Sequence, residues 1–269
     1  MSDSSQLPQF FERSGTDPGL SVPSSLPDAT RQAAHTDELA MPLVDHIAEL
    51  RNRVLWSVLA LVIGIGVGFY FSLPVIRVLK AMAPDSIVFI QLQPGEVLMA
   101  SIRVAFYMGL GLAAPVILYN LLRFVLPGLQ GRERGMVTWA VLGGTLLFVA
   151  GTVFAYFFVV PTAISFLVDY GQQIAQTHLS IEHYISFCAG LLFVTGGMFE
   201  LPMVLFLLSF TGLITSEKLL REWRWATILV FIASAVVTPT QDPFTMSIVA
   251  FAMLCLYALS IVPIKLCGR

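Results

Sequence analysis

Long apolar runs separated by short polar stretches organise most of the chain. Five of them lie near Val54–Leu73, Leu98–Leu122, Val137–Val160, Tyr184–Phe210 and Phe244–Ile264. Each meets or approaches the roughly 20 residues that a helix needs to cross a bilayer core of about 30 Å. A sixth run, Trp225–Thr238, is apolar but shorter, and Thr238-Pro239-Thr240-Gln241-Asp242-Pro243 follows it with a turn signal. The pattern predicts an all-α, polytopic membrane protein with six transmembrane helices, near 54–73, 98–122, 137–160, 184–210, 225–238 and 244–264. The fifth span is short, and the sixth is a candidate for the same description. Pro115 and Pro202 fall inside spans two and four and predict kinks there.

The first forty residues follow no such pattern. They carry Pro8, Pro18, Pro23 and Pro27 among Ser, Thr, Gln and scattered charges. Such a segment cannot bury enough apolar surface to order itself. The expected organisation is therefore a disordered polar tail over 1–40 and a six-helix membrane domain over 41–269.

Composition sharpens this reading. Apolar residues make up 57% of the chain and charged residues 12%, against about a quarter charged in soluble domains. The net charge of −2 gives no basis for a nucleic-acid partner. The placement of charge says more. With the N-terminus in the cytoplasm, only Arg77, Lys80 and Arg103 of the 15 lysines and arginines fall on the opposite side. The positive-inside rule then puts both termini in the cytoplasm, which requires an even number of spans. Cys188, Cys255 and Cys267 are odd in number and far apart, so they suit packing better than a disulfide framework or a metal site.

Sites for bond-breaking chemistry are missing from the sequence. It contains no nucleotide-binding G-x-x-x-x-G-K-[ST], no H-E-x-x-H and no G-x-S-x-G, and its four histidines are scattered. No cofactor, metal or enzymatic activity is expected. The acids are more informative. Glu49 lies in Leu43-Val-Asp-His-Ile-Ala-Glu-Leu-Arg-Asn-Arg53, an amphipathic stretch before span one. There it reads equally as a site or as a solvated i,i+4 partner of Arg53. Glu133 closes the loop Phe124-Val-Leu-Pro-Gly-Leu-Gln-Gly-Arg-Glu133, which could equally be an ordinary basic loop. Glu200 is different: it sits in Phe199-Glu-Leu-Pro202 with apolar residues on both sides. A carboxylate at that depth is functional by default, the alternative being a structural hydrogen bond to another helix. Asp242 precedes Pro243 as a helix cap would. One deep acid and proline-broken helices also suit a proton-coupled secondary transporter of a small solute. An intramembrane hydrolase would need a second group at the depth of Glu200, and none is visible.

Taken together, the motifs resemble one family. His46-x-x-Glu49-Leu50-Arg51-x-Arg53 looks like the N-terminal signature of TatC, the receptor subunit of the twin-arginine protein translocase. Phe124-x-x-Pro127-x-Leu129-x-x-x-Glu133-Arg134 is similar to its first cytoplasmic loop. Phe199-Glu200-x-Pro202 is similar to its fourth span, and Thr238-Pro239-x-x-Asp242-Pro243 to its last external turn. Pro74 and Pro94-x-Glu96 resemble its first external cap. The resemblance covers residues 41–265; Met246 departs from it, standing where the family usually has Gln.

The resemblance implies a non-enzymatic multi-pass protein of the plasma membrane or the thylakoid membrane. It implies binding of twin-arginine signal peptides of folded cargo on the cytoplasmic face, partnership with TatA/TatB-type single-span subunits and membrane lipid, a homo-oligomer within that complex, and transport driven by the proton gradient. Glu49 and Glu133 would accept the two arginines. Arg51, Phe124, Pro127, Leu129 and Arg134 would shape the site. Glu200, with Phe199 and Pro202, would be the intramembrane functional point.

The six-span topology places the turn after span five outside the membrane. In a chain whose three cysteines are replaced by serine, Gln241→Cys should react with a membrane-impermeant maleimide added from outside. Protection at that position would remove the sixth crossing.

Overall fold

A computed structural model of the chain describes residues 28–84, 87–125, 134–172, 178–210, 214–238 and 242–266. The chain divides into two units, Met1–Glu49 and Leu50–Arg269. What is described of the first is helix from Asp28 onward, so residues 28–40, expected within the unordered tail, are helical instead. Alanine and glutamine in Asp28-Ala-Thr-Arg-Gln-Ala-Ala favour that state.

The second unit is a helical bundle. Its described elements begin with the remainder of α1 (Asp28–Lys80), followed by β1 (Val88–Ile90), α2 (Glu96–Val125) and α3 (Arg134–Phe154). A π-helical turn (Ala155–Val159) leads into α4 (Val160–Gln172). Then come β2 (His178–Ser180), α5 (Ile181–Met198), α6 (Leu201–Phe210), α7 (Ser216–Arg221), α8 (Trp223–Val237) and α9 (Pro243–Leu266). Among the described residues, five helical segments are long and apolar enough to cross a membrane: Ile47–Lys80, Glu96–Phe124, Thr138–Gly171, Ile181–Ser209 and Pro243–Lys265. Trp223–Val237 is the short one, about 22 Å long at 1.5 Å per residue. The sixth span is of full length, so only the fifth is short. Exposed Trp223 and Trp225 stand at its cytoplasmic end, where amphipathic rings suit the interface. Tyr257 of α9 donates to the Leu219 carbonyl of α7 at 2.8 Å, tying this loop to the bundle.

Two spans outrun their apolar runs. Span one continues past Pro74 to Lys80, because Ile76 and Leu79 in the following turn are buried in the core. Pro74 therefore lies inside α1 and not in a turn. Span three continues to Gln172, because Val160, Ala163, Ile164 and Val168 line one face of α4 and are fully or almost fully buried. The π turn precedes Pro161: the Val160 N–H reaches back to the Ala155 carbonyl.

The external end is closed by polar contacts. β1 and β2 pair in parallel, with Val88, Phe89 and Ile90 opposite His178, Leu179 and Ser180. The buried Glu96 joins both loops: Oε1 accepts the Leu92 N–H and Oε2 accepts the Ser180 hydroxyl, each at 3.0 Å. Arg103 pairs with Glu182 at 3.0 Å, clamping α2 to α5. Tyr184 donates to the Leu79 carbonyl at 3.1 Å, clamping α5 to α1. Lys80 lies 5.6 Å from the centre of the Phe89 ring. Two of the three external cations thus have local partners. The main apolar core gathers beneath this cap, around Leu79, Val104, Val159 and Ile185.

Small residues set the distance between the first two spans. A β-carbon on Gly64 would lie 2.7 Å from the Gly109 carbonyl oxygen, and one on Gly68 would lie 2.7 Å from that of Ala105. With no hydrophobic drive between helices in lipid, such backbone contact is what holds them together. Pro115 leaves α2 continuous. Pro202 coincides with a true break at Phe199–Glu200, where Gly196 and Gly197 add to its effect. There the Phe199 N–H is shared between the Thr195 and Gly196 carbonyls.

Glu96 is the joint of the external cap. Glu96→Ala should lower unfolding stability in detergent by about 3 kcal/mol, and Glu96→Gln by less, since an amide oxygen still accepts one of the two donors. An alanine variant within about 0.5 kcal/mol of the native chain would deny the carboxylate that role.

Candidate functional site

The residues singled out by sequence separate into a cytoplasmic group, a mid-membrane group and an external group. In the cytoplasmic group, Glu49 is an exposed residue of α1 at the boundary of the first unit, and Arg51 is exposed on the second. Phe124 is half-buried near the end of α2, and Arg134 opens α3. Pro127, Leu129 and Glu133 lie outside the described residues.

Sequence reading missed a polar link at this end. The Arg53 guanidinium donates to the Asn120 carbonyl at 3.3 Å. The Asn120 side chain donates to the Ser57 hydroxyl at 3.0 Å, and that hydroxyl donates to the Arg53 carbonyl at 2.9 Å. Asn120 stands alone between Tyr119 and Leu121-Leu122. A lone amide in a span is a signal for an interhelical hydrogen bond, and it could have been read as one.

The mid-membrane group is built on the break in span four. Its first helix, α5, ends at Met198, and α6 resumes at Leu201, with Pro202 buried as the second residue. Between them the backbone bonds locally: the Glu200 N–H reaches the Gly197 carbonyl, and the Glu200 carbonyl accepts the Val204 N–H. The Phe199 ring stands 5.4 Å from that of Phe154. Glycines on α3 make room for this pair. A β-carbon on Gly151 would lie 2.6 Å from the Phe199 ring. One on Gly144 would lie 2.7 Å from Glu200 Oε2 and 2.6 Å from a Leu118 methyl. Gly144 and Gly151 are seven residues apart, two helical turns on one face. That spacing was the available signal for the recess. Glu200 Oε2 is buried and has no hydrogen-bond partner among the described residues. An acid left so costs free energy and marks the place where a polar partner would be stabilised.

Toward the external side of this point lies an apolar cavity of about 350 Å³. Its walls include Leu79 of α1, Tyr107 and Met108 of α2, Phe148 and Thr152 of α3, and Phe193 of α5. The two threonines in its lining, Thr145 and Thr152, bond to carbonyls of their own helix. The cavity therefore offers shape and apolar surface, with no charged side chain in its lining.

In the external group, Pro94 is exposed in the turn before α2, its carbonyl accepting from Gln91 at 3.1 Å. Glu96 is the buried joint described above. Asp242 is buried, and its Oδ1 accepts the Thr245 N–H at 2.6 Å as the N-cap of α9. No group of three or more His, Cys, Asp or Glu that could hold a metal occurs among the described residues.

Comparison with known proteins places this geometry. The family described as Sec-independent protein translocase protein (TatC) matches residues 45–251. A Sec-independent protein translocase protein TatC of Synechocystis sp. is 39% identical over 87% of this chain and 91% of its own length. The chloroplastic TATC of Pisum sativum is 38% identical over 87% of this chain and 66% of its own. A crystal structure described as the twin arginine translocase receptor TatC in DDM superposes with a TM-score of 0.70. It is 36% identical, covering 81% of this chain and 99% of the other.

The recess around Glu200 is tight, and a β-carbon at position 144 would require the Glu200 and Leu118 side chains to move. Gly144→Ala sets a methyl group against both Glu200 and Leu118. It should lower stability by about 1–3 kcal/mol, read from unfolding in detergent, and should shift a solvatochromic probe placed near position 200. A variant as stable as the native chain would mean that the recess yields.

Proposed function

The chain belongs to the TatC family of Sec-independent protein translocase proteins, multi-pass membrane components of a translocase and not enzymes, and on that premise we propose that it is the receptor for twin-arginine signal peptides. What supports this reading is its likeness along nearly the whole length of a twin-arginine translocase receptor, together with the order of acids along the chain. A guanidinium meets a carboxylate through two parallel hydrogen bonds, a geometry that a lysine ammonium cannot copy. Glu49 and Glu133 are the acids assigned to the two arginines. Arg51 and Arg134 orient them, and Phe124, Pro127 and Leu129 form the apolar rim.

Behind the arginines, the apolar stretch of a signal peptide enters the bilayer. The cavity walled by Tyr107, Phe148 and Phe193 offers it apolar surface of matching character. Glu200 is the polar point beside that path, and the break at Pro202 lets it stand clear of the helix ladder. The short α8 thins the bilayer locally and eases passage of folded cargo once TatA/TatB-type subunits assemble around a homo-oligomer of this chain. The sequence has no nucleotide motif, and the family resemblance implies that the energy comes from the proton gradient. A solute-transporter reading gains nothing from a cavity whose lining bears no charge.

Glu133→Gln keeps the shape and removes the charge. It should weaken binding of a twin-arginine peptide by about 1.5–3 kcal/mol, the worth of a charge-assisted hydrogen bond; unchanged affinity would end the role given to Glu133. Glu200→Gln should leave peptide crosslinking intact and impair transport, whereas normal transport would make Glu200 structural.

A further inference from the structure

The cytoplasmic halves of α1 and α2 hold a groove that shares Phe124 with the proposed rim of the arginine site and is otherwise lined by residues given no role in reading the arginines. The two helices touch backbone to backbone at Gly64–Gly109 and Gly68–Ala105. Toward the cytoplasm they separate, leaving about 280 Å³ between them. Val54, Val58 and Leu61 line one wall, and Ile117, Leu121 and Phe124 the other. From Leu50 to Leu61 the groove spans eleven residue rises of about 1.5 Å, or roughly 16 Å. One leaflet of a bilayer core is about 15 Å deep. The groove is therefore as deep as one leaflet, opens at the cytoplasmic face and is closed at mid-membrane by the glycine crossing.

Its mouth is cationic and polar. Arg53, Ser57 and Asn120 belong to the lining and to the ring of hydrogen bonds that bridges the two helices. Arg123, exposed one residue before Phe124, donates to the Tyr119 hydroxyl at 3.2 Å and lies over that ring. Apolar walls of leaflet depth beneath two guanidinium groups match one kind of molecule. We propose that the groove binds an anionic phospholipid of the cytoplasmic leaflet, with an acyl chain between α1 and α2 and the phosphate at Arg53 and Arg123. The inference does not depend on the assignment of Glu49 and Glu133.

The full chain, purified in detergent, is incubated with palmitoyl-oleoyl phosphatidylglycerol or with phosphatidylcholine of the same chains, and retained lipid is counted by native mass spectrometry. One phosphatidylglycerol should be held with about tenfold preference. A diazirine on its acyl chain should crosslink to residues 54–61 and 117–121 of the native sequence. The double variant Arg53→Gln, Arg123→Gln should lose the preference, and Val58→Trp should exclude both lipids, with unfolding midpoints recorded beside each. Equal retention of the two lipids by the native chain would overturn the proposal, as would crosslinks spread evenly over the lipid-facing helices. So would phosphatidylglycerol held undiminished by the glutamine variant. Displacement of the crosslinked lipid by a twin-arginine peptide would assign the groove to the peptide instead.

Discussion

A polar group in a bilayer has no water to fall back on, so each must find its partner inside the protein. At the external end of the bundle the buried Glu96 meets that constraint with both of its oxygens. Its two oxygens take a backbone N–H from the loop before α2 and the Ser180 hydroxyl from the loop before α5. The parallel pairing of β1 with β2, the Arg103–Glu182 bridge and the Tyr184–Leu79 bond lie around it. Together they fix the external ends of α1, α2 and α5 to one another. The helices below are then free to pack through small residues rather than by apolar drive. The cytoplasmic ends carry the residues proposed for recognition and the groove proposed for lipid.

Glu200 stands in contrast to Glu96. Glu96 lies in the external cap with a donor for each oxygen, whereas Glu200 lies within span four with an oxygen that has no partner among the described residues. Gly144 and Gly151 clear space for Glu200 and Phe199 where a larger residue would collide. One glycine and a helix break make room for this acid, and on that ground we propose for it a role beyond stability. The nearby apolar cavity gives the same region room for an incoming segment.

Much of this was legible in the sequence. The apolar runs located each span, and Pro202 predicted a kink in span four. What escaped was governed by tertiary packing. Pro74 looks like a terminator, yet burial of Ile76 and Leu79 carries α1 through it. Span three has a natural stop near Val160, yet the buried face of α4 extends it by another three turns. Arg103 reads in the sequence only as one of three external cations, and the fold brings Glu182 to it. Asn120 and Ser57 are single polar residues in different helices, 63 positions apart, and no local pattern joins them. The acids expected to bind arginine were legible only through resemblance, because a surface carboxylate among basic neighbours has no periodicity that distinguishes a site from a salt bridge.

The central claim is that this chain reads guanidinium groups and not positive charge. The most direct measurement is the affinity of the detergent-solubilised protein for a fluorescent twin-arginine signal peptide, beside the same peptide with both arginines changed to lysine. The account predicts at least about tenfold tighter binding of the arginine peptide, with the difference lost in Glu49→Ala and in Glu133→Ala. Equal binding of the two peptides would contradict it.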